Sequence, residues 1–326
     1  MSMAEAVFGR IADGELVIID GGTGTQLQAE GVPMDDVAWS ARANLEQPDV
    51  VQHVHEEYIR AGAEVIIANT YASSRAALEP AGLGSRVAEV NRSAVRAALR
   101  AREAAATGPV AVAGSMSPFS PHDMEAGGLG RPLAGPADED PRFPTLAHFR
   151  EQAELLAEEG VDLIALEMIN ARGYGRAALQ AATETGLPVW LGISAFHRQD
   201  GTLSTLLELG DGDSVEDLLS ALAGTGAPEL AAITVMHSKP EASLAAIEII
   251  RGHFTGPVGV YAETGDWQPP NWVFDGLPPA GYLQQAITWA DGGVRLIGGC
   301  CGVGPEHIRA LAGGLPRHST TPRPGP

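Results

Sequence analysis

Two hydrophobic periods take turns along this chain. Short runs rich in Val, Ile, Leu and Ala end on glycine-rich or polar tips, and each tip leads into a longer segment with apolar residues every three to four positions. Strands are predicted over 16–22, 65–71, 110–118, 162–169, 189–195, 230–237, 258–263 and 294–301. Helices are predicted over 50–61, 84–105, 146–159, 172–185, 214–224, 241–253, 279–290 and 305–314. Such regular strand–helix alternation predicts a closed parallel α/β barrel, the (β/α)8 or TIM barrel, rather than an open doubly wound sheet.

In this reading one barrel fills residues 1–316, and residues 317–326, without apolar period, form a flexible C-terminal tail. Two long connections are placed to fold over the barrel mouth: 119–145, rich in Pro and Gly, and 264–278, which carries Trp267 and Trp272. With 40 glycines, 23 prolines and 44% hydrophobic residues, the composition suits a globular unit able to bury a large core.

Charge narrows the partners. Against 41 Asp and Glu stand only 21 Lys and Arg, a net −20 that disfavours a phosphate backbone, so no nucleic acid is expected. No apolar run approaches the roughly 18 residues that span a bilayer, and the first residues lack a basic stretch followed by an apolar one. A cytoplasmic location with no membrane partner is the expectation, small molecules being the partners and a homo-oligomer remaining open.

The most informative stretch is Val294-Arg-Leu-Ile-Gly-Gly-Cys-Cys-Gly302, which ends a predicted strand on the only two cysteines of 326 residues. A disulfide between neighbours is strained, and two lone cysteines fit a reducing compartment better than a disulfide framework. Cys300 and Cys301 therefore read as two thiolates converging on a soft or borderline metal, most often zinc; a pair of small core hydrophobes is the bland alternative. Two thiolates leave a zinc shell incomplete. His237, at the end of the run from Ala231 to Met236, would be aimed at the same mouth and is the candidate third ligand.

Other predicted tips carry further polar residues. Asp20 is followed by Gly21-Gly-Thr-Gly-Thr25, a turn whose glycines let backbone approach a ligand, without the spacing of a dinucleotide fingerprint or the lysine of a P-loop. Glu167 ends an apolar run where a carboxylate needs a cationic partner, and a bound ammonium group would supply one. Glu263 ends the seventh run.

Taken together, Asp20-Gly-Gly-Thr-Gly-Thr25, Ala38-Trp-Ser-Ala41, His55 with Tyr58, Ala61-Gly-Ala63, Ala68-Asn-Thr-Tyr71, Asp162-Leu-Ile-Ala-Leu-Glu167 and Gly298-Gly-Cys-Cys-Gly302 resemble the homocysteine S-methyltransferase family over about 16–315. The resemblance implies a barrel whose catalytic zinc binds a thiol and activates it for methyl transfer, with homocysteine giving methionine. It implies that Asp20 and Glu167 hold the substrate amino group, and adds Gly22, Thr23, Trp39, Asn69, Tyr71, Ser115 and Glu263 as substrate-binding candidates. Trp39 and Tyr71 match aromatic positions that line an onium donor in one branch of the family, and an onium methyl favours aromatic faces.

Two departures stand out. The family's first zinc cysteine lies three residues before a proline after strand six; Pro240 marks that position here, and it holds His237. The family's Asn after strand seven is Glu263. Two thiolates and a neutral imidazole leave Zn2+ uncharged where three thiolates give −1, so an incoming thiol ionises more readily but donates less electron density to a methyl carbon. That suits a donor with a good leaving group, S-methylmethionine ahead of betaine. The competing expectations are a different thiol, an onium demethylase in catabolism, or a zinc-free binding protein.

Overall fold

The computed structural model describes residues 2–119, 144–198, 200–205, 213–268, 271–274 and 276–316. All eight predicted strands are present, each shorter than its apolar run: β1 Val17–Ile18, β2 Val65–Ala68, β3 Ala111–Met116, β4 Leu163–Leu166, β5 Val189–Ile193, β6 Leu230–Met236, β7 Val258–Ala262 and β8 Leu296–Gly299. They pair in parallel in the order β1-β8-β7-β6-β5-β4-β3-β2. A bridge from Ile19 to Val65 joins the two end strands, with Asp20 N–H donating to Val65 O at 2.9 Å, and gives the expected (β/α)8 barrel. The expected tail 317–326 and residues 120–143 of the long connection lie outside the described residues.

Among the described residues the α-helices of seven residues or more are α1 Met3–Ala12, α2 Thr23–Ala29, α3 Pro48–Ala61, α4 Val87–Ala105, α5 Leu146–Glu159, α6 Arg172–Thr183, α7 Val215–Leu222, α8 Pro240–His253, α9 Pro279–Asp291 and α10 Pro305–Gly314. Proline opens α3, α8, α9 and α10, where its missing N–H has no intrahelical partner to lose. Eight of them match the predicted segments. The other two, α1 and α2, were not predicted: α1 precedes the first strand, and α2 starts inside the glycine turn at Thr23. Among the described residues no helix is long and apolar enough to cross a membrane.

Strand parity divides the core in two. Val17, Val65, Ala111, Leu163, Trp190, Ala232 and Leu296 pack inside the barrel, while their neighbours Ile18, Ile66, Val112, Ile164, Leu191, Ile233 and Ile297 face the helices. Val7 and Ile11 of α1 join the inner cluster and Phe8 meets Trp190 edge-on at 6.3 Å, so α1 packs against the amino ends of the strands. The strand tips at the other end are left to form a site.

One buried group makes this packing sensitive to acid. His55 of α3 is fully buried, neither ring nitrogen has a hydrogen-bond partner, and burial pushes its pKa down to about 4. Unfolding restores an ordinary imidazole near 6.5, so stability is complete above that pH and is lost as pH falls towards 4, by up to about 1.4 kcal/mol per pH unit. In urea unfolding at pH 7.5 and pH 5, His55→Leu should lose less stability on acidification than the native chain; equal losses would clear His55 of this role.

Candidate metal centre

At the carboxyl ends of the strands opens a cavity of about 490 Å3. Strand parity turns polar groups inward at this end of the barrel. Ser115 continues the inward series Ala111, Ala113; Glu167 continues Leu163, Ala165; and Glu263 follows Tyr261 two residues on. His237 has the opposite parity to inward-facing Met236, and a regular strand would send its ring towards the helices. Its left-handed φ of 44° breaks the strand and turns the ring into the cavity.

The ring arrives beside the two thiols. Cys301 Sγ lies 4.0 Å from His237 Nδ1 and 3.8 Å from Cys300 Sγ. Among the described residues, His237, Cys300 and Cys301 form the one group of metal-ligating side chains whose donor atoms all lie within 4.8 Å of one another. Gly302 makes the turn after them possible: its φ is +82°, and a Cβ there would stand 2.4 Å from Gly265 N.

Charge in this corner is already polarised. A hydrogen bond with Cys301 holds the Cys300 thiol well below its usual range against the cost of burial, with His237 assisting. The Cys301 thiol is pushed up by that same neighbour and by burial. Burial opposes a charge on the His237 ring, but Glu263 and Cys300 outweigh it and raise the pKa to about 9. Imidazolium and thiolate therefore neutralise one another here, and a metal ion held by these residues would displace the ring proton.

Of the predicted substrate residues, Gly22, Thr23, Trp39, Asn69 and Tyr71 line the cavity, as do Glu167 and Glu263. Asp20 and Ser115 do not. Asp20 shares the outward parity of Ile18; its Oδ2 accepts the Ile67 N–H at 2.8 Å and its Oδ1 is buried without a partner. Burial raises the Asp20 carboxyl well above its ordinary value, with Glu167 adding to it. Ser115 acts through Glu167, to which its hydroxyl donates, and burial still pushes Glu167 up to about 7. Burial thus raises both carboxyls, and the His237 ring opposes that rise at Glu167.

The amide of Asn69 is fully used by the protein. Its Nδ2 donates to Ser40 O and Asn44 Oδ1, and its Oδ1 accepts the Ser40 hydroxyl, so Asn69 braces the turn that carries Trp39. Trp39 itself sits at a φ of 47° and closes over Gly24, where any Cβ would fall 2.4 Å from the indole. Trp39, Met168 and His237 are the only described non-glycine residues with positive φ, and all three line the cavity, which places the backbone strain at the site. Tyr71 links Trp39 and Phe119 in an aromatic wall with ring centroids 6.0 and 5.6 Å apart.

Sequence reasoning missed Phe119, Phe196, Met236, Lys239, Tyr261 and Asp266 as lining residues. Lys239 is the most consequential. Its Nζ lies 2.5 Å from Asp266 Oδ1 and 3.6 Å from Glu263 Oε1, and its place in the His237-Ser-Lys-Pro240 tip was the available signal. The long connection contributes Trp272, edge-on to His237 at 5.9 Å; the side chain of Trp267 is outside what the structure describes.

A family model described as homocysteine S-methyltransferase matches residues 17–315. The chain belongs to that family. Relatives of the homocysteine S-methyltransferase family span nearly its whole length. Homocysteine S-methyltransferase 3 of Zea mays is 28% identical over 318 residues, covering 92% of this chain and 90% of that protein. Selenocysteine Se-methyltransferase of Brassica oleracea var. italica is 27% identical, covering 91% and 88%. The metallated form of the homocysteine methyltransferase MmuM from Escherichia coli superposes with a TM-score of 0.71 at 26% identity, covering 93% of this chain and 97% of that one.

The Ser115 hydroxyl lowers the Glu167 pKa that burial raises. Ser115→Ala should therefore move the Glu167 titration further above about 7, by about one to two pH units for a lost hydrogen bond to a charged group. Infrared titration of the carboxyl stretch reads this directly, and an unmoved or lowered midpoint would contradict it.

Proposed function

We propose that this chain moves a methyl group from an onium donor to a small amino thiol, homocysteine or a close relative, using zinc held by His237, Cys300 and Cys301. The carrying observation is the convergence of those three donors at the mouth of a cavity that is also lined by the buried Glu167, in a chain of this family. The donor spacing fits zinc. Zinc–thiolate bonds of about 2.3 Å at a tetrahedral angle set two sulfurs about 3.8 Å apart, and the two Sγ atoms here are 3.8 Å apart.

When bound, zinc lowers the pKa of the thiol and holds it as thiolate. The protein's own residues do the rest. Glu167, with Asp20 behind it, holds the ammonium group and so fixes the direction of the substrate sulfur. Trp39, Tyr71 and Phe119 present aromatic faces to the onium methyl, and the enclosing cavity keeps water from competing. No residue serves as a covalent nucleophile. Neutralisation of donor and nucleophile charges favours departure of an uncharged thioether or amine, with S-methylmethionine the preferred donor.

Two experiments bear on this reading. Protein purified without chelator should carry about one zinc per chain, and it should consume homocysteine with S-methylmethionine or another onium donor. His237→Ala should weaken zinc binding by more than about tenfold and lower turnover in parallel. Absence of turnover with every onium donor and every small thiol or selenol tried would remove the methyltransferase assignment.

Ammonium binding should also release protons. Glu167 titrates near 7 in the empty site, and a cation beside it favours the ionised form, so binding below that pH expels a proton. Methionine is a suitable probe because it brings no thiol proton. Calorimetry in buffers of different ionisation enthalpy should show proton release at pH 6 that shrinks by pH 8 and falls in Glu167→Gln; no release from the native protein at pH 6 would contradict the ammonium site.

A further inference from the structure

Tyr261 carries a hydroxyl with no acceptor. The residue has inward parity on β7, lines the cavity and is 1% exposed. Among the described residues its Oη makes no hydrogen bond, and Thr234 Oγ1, on the neighbouring strand β6, makes none either. The two other tyrosines among the largest fully buried side chains are anchored to main chain: Tyr58 Oη donates to Val303 O at 3.0 Å and Tyr282 Oη to Gly298 O at 2.7 Å. A buried hydroxyl left unpaired is costly, so its persistence beside a cavity points to an acceptor that becomes available when a ligand arrives.

The phenol reaches across the barrel because β5 is bare where it passes. Gly192 shares the inward parity of Trp190, and a Cβ on it would stand 2.9 Å from Tyr261 Oη and 2.5 Å from Leu166 O. The hydroxyl therefore ends at the tip of β4, where Leu166 leads into Glu167. Burial, with Glu167 close by, holds the phenol well above its ordinary pKa, so it stays neutral and can donate to a carboxylate. From the other side, Ser115 of β3 already donates to Glu167 Oε2. An ionised carboxylate accepts at about four positions, which accommodates both hydroxyls and an ammonium group.

We propose that Tyr261 is a positioning residue for the amino group of the substrate: once that group is bound, the Tyr261 hydroxyl donates to the Glu167 carboxylate and, with Ser115, fixes the direction in which the carboxylate faces. The proposal rests on the reading that Glu167 holds an ammonium group. A phenol tied to main chain, as in Tyr58 and Tyr282, could not make a bond that forms only in the occupied site. The consequence is selectivity. Tyr261 contributes to the affinity of ligands that carry an ammonium group and is silent towards those that lack one. Pairing with Thr234 alone would instead make the hydroxyl a packing feature, indifferent to which ligand is bound.

The test uses the full chain and two probes, methionine and the methylthio carboxylic acid of the same length that lacks its amino group. Calorimetry should show Tyr261→Phe binding methionine about tenfold less tightly than the native protein, the size of one hydrogen bond to a charged group, with affinity for the deaminated acid unchanged. A crystal structure of the native protein with methionine should place Oη about 2.7 Å from a Glu167 oxygen, and needs no variant to fold. Equal losses for the two probes, or an Oη beyond about 3.5 Å from both carboxylate oxygens in that complex, would overturn the proposal and leave the ammonium reading intact. A native protein that does not prefer methionine to the deaminated acid would remove that reading and this proposal together.

Discussion

The site depends on one encounter: an imidazole delivered by β6 meeting a vicinal dithiol delivered by β8 across the intervening tip of β7. Neither strand supplies a metal site alone. Two adjacent thiols leave a tetrahedral shell half made, and a single buried imidazole beside a carboxylate is only an ion pair. What brings them together is the parallel pairing of β6 with β7 and β7 with β8, which sets their carboxyl ends at one mouth.

Barrel geometry also explains which side chains point inward at this end. With a period of two, Ser115, Glu167, Tyr261 and Glu263 fall inward without any special backbone, and their neighbours face the helices. His237, Met168 and Trp39 enter by the opposite route, each through a left-handed φ that L-residues avoid. The Trp39 turn is braced by Asn69, Ser40 and Asn44, and the encircling hydrogen bonds of the barrel over-determine the rest. Strain of this kind persists where surrounding packing compensates for it.

Much of this was legible from residue order. The eight apolar runs matched the eight barrel strands, because buried parallel strands leave a continuous hydrophobic signature and their helices a separate period. Cys300, Cys301 and His237 were legible from chemistry, since unusual residues at strand tips have few other reasons to be there. The sharper features were not. Parity alone would have turned His237 away from the thiols, and the backbone break that corrects it depends on tertiary contacts. Asp20 was expected to hold the substrate amino group, and one of its oxygens accepts the Ile67 amide; Asn69 was expected to contact substrate, and its amide is engaged by the protein. The Lys239–Glu263–Asp266 cluster joins two tips far apart in sequence, which no local pattern announces.

The account therefore stands or falls on what surrounds the ion in the native protein. X-ray absorption at the zinc edge of the purified chain should show two sulfur neighbours at about 2.3 Å with the remaining shell of nitrogen and oxygen near 2.0–2.2 Å. The imidazole's outer-ring scattering should be present in the native spectrum and absent from His237→Ala. A shell without sulfur, or one that the His237 substitution leaves unaltered, would contradict the central claim.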